Sequence, residues 1–348
     1  MTPRNNILKA ARFDHPDAIP VTFHIAPAAW HFYPQDQLKH LMADHPALFP
    51  NGPPKDTPHV PHLAPWRTAG VRYRDSWGCV WETNEDGVTG TVIEHPLADP
   101  AALETFVPPD PAGHWGWGPM DWKRCHAGIA AARAAGQLAA GELRHGHTFL
   151  TATYLRGYES LLLDMADQAP SVERLFDMIT DFNLGVVQCF LQAKVEWLGY
   201  PEDLGMQVGP MMSVQGFRRY ILPAYRRIMT PAQQVGAVIH MHSDGDIRLL
   251  ADDLIGLGVH VLNVQDRVNG IDWIAEHLKG RVAIDLDLDR QFLTRTGSPK
   301  QIRAWVESAV QGLSDPAGGL MLKHDLSPGP SLEQVAAIMT AMQDAARR

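Results

Sequence analysis

The sequence predicts an α/β fold, a (β/α)8 TIM barrel with an N-terminal β-hairpin insertion, and three observations carry that prediction. First, an apolar run closes on Val238-Ile239-His240-Met241-His242-Ser243-Asp244-Gly245-Asp246-Ile247, a strand ending in side chains that bind metals or move protons. Second, residues 259–266, 281–289 and 319–325 repeat the arrangement. They end in Asn263, Gln265 and Asp266, in Asp285, Asp287 and Asp289, and in His324 and Asp325. Third, helical and strand patterns alternate along the rest of the chain. Polar residues at the carboxyl ends of several strands are what such a barrel presents, because its active site sits at that end.

The elements follow in order. Ile19-Pro20-Val21-Thr22-Phe23-His24-Ile25 is a β-branched run after a turn and reads as the first barrel strand, with His24 near its end. Residues 34–65, rich in Pro and His, read as a helix and an irregular excursion. Residues 71–82 and 90–93 flank Asn84-Glu85-Asp86-Gly87, whose Asp-Gly is a turn signal, so a β-hairpin is expected there. The aromatic, glycine-rich run from Gly113 to Trp122 reads as a lid. Residues 66–122 together make a hairpin-and-lid insertion in one domain spanning 1–348. Downstream, helices are expected over 122–135, 157–167, 171–194, 214–230, 247–257, 271–278, 299–313 and 332–346. Strands are expected over 137–143, 195–198, 236–242, 259–264, 281–286 and 319–323. With the first strand these approach the eight of a closed parallel barrel. A doubly wound open sheet would carry a Gly-rich phosphate turn after an early strand. That turn is missing, as are a P-loop, GxSxG and HExxH.

Composition narrows the function classes. A chain of 348 residues, 45% hydrophobic and 20% charged, has the material for a large core. Its net charge of −9 and lack of a Lys/Arg-rich run argue against a nucleic-acid or anionic-membrane partner. Cys79, Cys125 and Cys189 are odd in number and lack CxxC spacing, which argues against a disulfide framework and against a thiolate zinc cluster. Met1-Thr2-Pro3-Arg4-Asn5-Asn6 has no signal-peptide apolar region and no later run is long enough to span a bilayer, so a cytoplasmic location is expected.

Alternation along a strand puts His240 and His242 on one face, with Ser243 or Asp244 placed to cap a helix beginning near Gly245. Glu202 and Asp203 follow a strand, suiting a metal ligand or a general acid/base, with helix capping as the alternative. Asp285, Asp287 and Asp289 share a face, and Asp285 is placed in the site. Arg156 is a candidate clamp for a carboxylate or ring oxygen through its forked guanidinium, against a structural ion pair. Trp77 and Trp81 share a hairpin face, where they line a pocket for a flat ligand or simply pack.

His242-Ser243-Asp244-Gly245-Asp246-Ile247, Glu202-Asp203-Leu204-Gly205-Met206-Gln207 with Met212-Ser213 behind it, and Leu155-Arg156-Gly157 with Glu159 together resemble the uroporphyrinogen decarboxylase superfamily. The resemblance runs from Arg4-Asn5 to the terminal helix. The true decarboxylases carry an Arg-Gln-Ala-Gly element after the first strand, where this chain has His24-Ile25-Ala26-Pro27. It is therefore nearer the corrinoid-dependent methyltransferase-like branch. In those methyltransferases a His-x-Cys-Gly turn and a distant Gly-Cys bind zinc. These align with His242-Ser243-Asp244-Gly245 and Lys323-His324, so Asp244 and His324 stand where the family has cysteines.

The resemblance implies a metal set of His242, Asp244, His324 and Glu202 holding zinc or another divalent ion, harder than a thiolate site. The metal-free alternative is a capping Asp and two hydrogen-bonded pocket histidines. Asp203 and Asp244 are the expected catalytic carboxylates, and Arg156, His240, Gln207, Asp285 and Trp77 the expected substrate contacts. The expected reaction moves a methyl group from an O-methylated small molecule, such as a methoxy-aromatic, to a corrinoid protein. The alternative is cofactor-free decarboxylation of a small aromatic or polycarboxylated substrate, with Arg156 as the clamp.

Overall fold

The computed structural model describes residues 3–347; Met1, Thr2 and Arg348, which the domain limits and the N-terminal reading above include, lie outside them. Among the described residues the strands, in order, are β1 (Val21–Ile25), β2 (Tyr73–Arg74), β3 (Val80–Glu82), β4 (Thr91–Glu94), β5 (Ala140–Glu142), β6 (Trp197–Pro201), β7 (Val238–Ser243), β8 (Val261–Gln265), β9 (Ala283–Asp287) and β10 (Leu320–Leu326). Seven form one sheet in the order β1-β10-β9-β8-β7-β6-β5, and every neighbouring pair is parallel. This is the predicted TIM-barrel arrangement, short of one strand.

Parallel strands covered by helices bury both faces. The outward residues Ile239, Met241, Leu262, Val264, Ile284 and Leu286 are fully buried under the helical layer. At the amino end, the inward residues Val238, Val261, Ala283 and Met321 form a separate apolar plug with Ala10 and Ala11. Those alanines end the helix Pro3–Ala11, which the sequence patterns had not revealed. Two and four residues further along each strand the same inward face turns polar, which sets the site at the carboxyl end.

The helices obey simple local rules. Pro170–Gln192 buries Val172, Leu175, Phe176, Ile179, Phe182, Val186, Val187 and Phe190, a repeat of three and four that makes one apolar stripe. Pro299–Leu313 and Leu332–Ala345 each begin with a capping box, Ser298 with Gln301 and Ser331 with Gln334. The helix expected from Gly245 begins instead at Ala251. Ser243 is spent elsewhere: its hydroxyl accepts the Leu204 N–H at 2.9 Å and donates to the Asp244 carbonyl.

The insertion differs from the expected hairpin. Strands β2, β3 and β4 make a three-stranded antiparallel sheet. Among the described residues no ladder joins β1 to β5, and the small sheet spans that seam. On one side Gly87 abuts the Pro27–Ala28 segment after β1. On the other, Asp75 pairs with Arg144, just beyond β5, at 3.1 Å. The Arg144 guanidinium lies 4.1 Å from the Trp117 ring and also faces Trp81 and Tyr154. Trp117 is thus packed, stacked on Trp66 at 4.8 Å, and the expected lid is anchored to the barrel at this point.

Candidate metal centre at the barrel mouth

The close contact of two strand-end loops places the central residues. Gly245 has φ +81, and a Cβ there would stand 2.2 Å from the Gly205 backbone, so no other residue fits without moving the loops. Across this contact the Asp244 N–H donates to Asp203 Oδ1 at 3.1 Å. The loop after β6 and the loop after β7 are thereby fixed against each other.

His145, Asp203 and His242 converge here, each offering a ligand atom within 4.8 Å of the others. Asp203 Oδ1 lies 3.3 Å from His145 Nε2 and 3.5 Å from His242 Nε2. The His242 tautomer is set from behind. The Asn263 amide donates to the Asp285 carbonyl at 2.6 Å, which turns Asn263 Oδ1 toward His242 Nδ1 at 2.5 Å. Nδ1 therefore carries a proton and Nε2 is the nitrogen turned to Asp203, where it takes either a second proton or a metal ion, as second-sphere partners of metal-binding histidines arrange it.

The electrostatics agree with a cation site. Burial opposes ionisation of Asp203, but hydrogen bonds and charges from His145 and His242 outweigh it and hold the carboxyl well below the usual range. Burial also favours a neutral His242, yet Asp203 and Asp244 overcome this and raise its pKa. The pocket thus holds a proton at His242 more firmly than water does. Two imidazoles and an ionised carboxylate are good donors for zinc and similar ions, and three protein ligands leave a position open. The residues fit a divalent metal.

A charged ring surrounds the triad. Arg290 Nη2 lies 3.1 Å from Asp244 Oδ1 and 2.8 Å from Asp287 Oδ2. Lys323 Nζ and His24 Nδ1 meet Asp325 at 3.3 and 3.2 Å. Asp287 is buried, and desolvation raises its pKa to about 7 despite Arg290 and Lys323.

The sequence-expected residues separate into three groups. His242, Asp203 and Asp244 meet at the mouth, although Asp244 Oδ1 is 3.7 Å from His242 Nε2 and is engaged by Arg290. Asp203, held ionised, suits a ligand or orienting role better than that of proton donor. His240 and Asp285 pair with each other at 3.0 Å one layer deeper, with the His240 ring 5.1 Å from that of Trp197. Gln207 stands exposed at the rim of an adjoining cleft.

The remaining expectations are corrected. His324 alternates with Lys323 and Asp325 on β10, so it faces outward, 2% exposed and 5.2 Å from the Phe23 ring, and burial lowers its pKa to about 4. Glu202, next to Asp203 on the opposite face, is fully buried. It caps the helix Phe149–Arg156 through the Thr148 and Leu150 N–H groups, both at 2.9 Å, and accepts the Tyr225 hydroxyl. Arg156 binds Asp164 at 2.7 Å and the Leu97 and Ala98 carbonyls, the structural ion pair that the sequence left as the alternative. Trp77 is 2% exposed and packs on Phe106 of the insertion and on Phe182 of the helix Pro170–Gln192.

Sequence reasoning missed His145 and Arg290. His145 had a signal, since Leu143-Arg144-His145 follows β5 just as the other polar ends follow their strands. Arg290 had none, because a long side chain from a loop reaches the site only through the tertiary fold.

The family model for Uroporphyrinogen decarboxylase (URO-D) matches residues 84–345. No curated protein matches the sequence. Among solved structures, a methyltransferase from Methanosarcina mazei superposes with a TM-score of 0.68 at 18% identity, covering 99% of each chain. A glycosylated endo-beta-1,4-xylanase from Gloeophyllum trabeum reaches only 0.40 at 12% identity, covering 64% of this chain and 81% of its own. No helix among the described residues is long and apolar enough to cross a membrane. With the family match spanning most of a seven-stranded parallel barrel whose mouth carries the polar residues, the chain belongs to the uroporphyrinogen decarboxylase family.

Proposed function

We propose that this protein is a methyltransferase that moves a methyl group from an O-methylated small molecule, with methoxy-aromatics as the test case, to a reduced corrinoid carried by a partner protein. The observation that carries the reading is the triad of His145, Asp203 and His242, with its fixed tautomer, at the carboxyl end of the barrel. The full-length resemblance in fold to a protein described as a methyltransferase lends support.

A divalent ion held by His145, Asp203 and His242 would supply Lewis-acid polarisation of the ether oxygen. Asn263 keeps the His242 lone pair turned to the site, and the Asp244 N–H keeps Asp203 in place. Arg290 neutralises Asp244 and Asp287, so the mouth tolerates its carboxylates. A reduced corrinoid on the partner would supply the electron pair that takes the methyl group as its bond to oxygen breaks, and the released oxygen would keep the pair from that bond and take a proton from water.

The test mixes zinc-loaded protein with chemically reduced cobalamin and a panel of methoxy-aromatics and follows the visible spectrum. Conversion to methylcobalamin that depends on His242 supports the reading. No conversion, together with carbon dioxide release from a carboxylated substrate, would replace it with decarboxylation.

A further inference from the structure

Glu202 stands where the three segments that bear the triad meet. Asp203 is its neighbour in the chain, and its own N–H donates to the His242 carbonyl at 3.0 Å. The Pro201 carbonyl just before it accepts the N–H of Gly146, the residue after His145, at 2.9 Å. The Glu202 side chain is fully buried and returns to the same His145 segment. Its Oε1 accepts the Thr148 and Leu150 N–H groups, both at 2.9 Å, and its Oε2 accepts the Tyr225 hydroxyl. Those N–H groups are the unpaired donors at the start of the helix Phe149–Arg156, which the capping residue's own side chain usually satisfies. Thr148 does not cap, and its hydroxyl meets His147 Nδ1 at 2.7 Å instead. A carboxyl from the end of β6 supplies the cap, which ties the helix start to the strand that carries Asp203.

The two imidazoles of the triad are held differently. His242 has Asn263 behind its Nδ1. The His145 side chain is 44% exposed, and among the described residues its ring has Asp203 as its one hydrogen-bonding or ion-pair partner. With no partner behind the ring, its distance from Asp203 is set by the backbone on either side. Before it, the Leu143 N–H donates to the Gly199 carbonyl at 3.0 Å and Arg144 is anchored on Asp75. After it, the backbone is held by the Gly146 bond to Pro201 and by the two bonds to Glu202.

Resting on the metal centre proposed above, we infer that Glu202 is a positioning residue for it, which holds His145 at ligating distance from Asp203 by capping the helix that follows His145. Glu202 touches no metal and no substrate. It acts through the length of its side chain and through an oxygen that accepts two N–H groups at once, and its charge is not required. Gln in its place keeps both the reach and the acceptor. Asp keeps the charge, but it is one methylene shorter and draws the acceptor back from both N–H groups.

The test is zinc affinity of the full chain, read by competition against a chromophoric chelator, for the wild type, Glu202→Gln, Glu202→Asp, His145→Ala and the double variant Glu202→Asp/His145→Ala. Urea unfolding confirms that each is folded. Glu202→Gln is expected to bind zinc much as the wild type does, and Glu202→Asp about tenfold or more weakly. The double variant is expected to bind no more weakly than His145→Ala alone, because Glu202 acts through that imidazole. In the cobalt(II)-loaded proteins, the visible spectrum of Glu202→Asp should move toward that of His145→Ala while that of Glu202→Gln stays as in the wild type. Wild-type affinity in Glu202→Asp would leave Glu202 a helix cap and overturn the assignment. So would loss in Glu202→Gln with retention in Glu202→Asp, which would make the charge decisive, or losses that add in the double variant. Each of these leaves the metal centre standing, whereas failure of the wild type itself to bind zinc would overturn the centre and this assignment together.

Discussion

Asn263 touches no ligand in the proposed chemistry, so its replacement by Leu tests whether the second sphere builds the site. Asn263 is fully buried and makes two bonds: Oδ1 accepts from His242 Nδ1 at 2.5 Å, and Nδ2 donates to the Asp285 carbonyl at 2.6 Å. Losing the first frees the His242 ring to turn and to carry its proton on Nε2, the nitrogen that faces Asp203. Loss of such a partner is expected to weaken zinc affinity about 10–100-fold. That corresponds to about 1.4–2.8 kcal/mol. Losing the second removes a buried side-chain hydrogen bond to the Asp285 carbonyl, at a cost of about 0.5–1.5 kcal/mol in stability. Competition against a chromophoric chelator reads the affinity, and urea unfolding reads the stability. A variant that is destabilised yet binds zinc as wild type does would refute the reasoning, since Asn263 would then serve the core alone.

Other perturbations separate the site from its scaffold. His324→Leu is expected to leave zinc affinity unchanged, as read by the same competition. It should also remove an acid sensitivity: with a pKa near 4 folded against 6.5 unfolded, His324 is protonated first in the unfolded chain. His324 therefore contributes a loss of about 3 kcal/mol as pH falls from 6.5 to 4, and denaturant unfolding across that range should show the variant's stability falling by about that much less than the wild type's. Asp75→Ala leaves the Arg144 charge buried among Trp81, Trp117 and Tyr154, and is expected to destabilise by about 3–5 kcal/mol in urea unfolding. Gly245→Ala forces a Cβ into the Gly205 backbone at φ +81. It is expected to lower the unfolding temperature and weaken zinc binding together, because the loops bearing Asp203 and Asp244 must part.

How much of this was legible in the sequence depends on what kind of physics decides each feature. The period of two along a strand placed His240 and His242 on one face without any tertiary information, and Pro299–Leu313 was read to the residue because its caps are local. The same parity, applied to β10, separates His324 from Lys323 and Asp325. It was not decisive for the sequence reading because positional alignment with a zinc-binding cysteine was followed instead. Glu202 and Asp203 split for the same reason, one facing the helix Phe149–Arg156 and the other the mouth. The missing eighth strand was beyond sequence reasoning, because short β-rich segments such as Val80–Glu82 pair locally or with the barrel according to tertiary packing.

The central claim is that His145, Asp203 and His242, and not His324 or Glu202, hold a divalent ion. It is tested most directly by zinc affinity of the wild type beside His145→Ala, His242→Ala and His324→Ala. The expected result is tight binding by the wild type and His324→Ala, and severe loss in the other two. Retention of wild-type affinity by His145→Ala, with loss in His324→Ala, would contradict it.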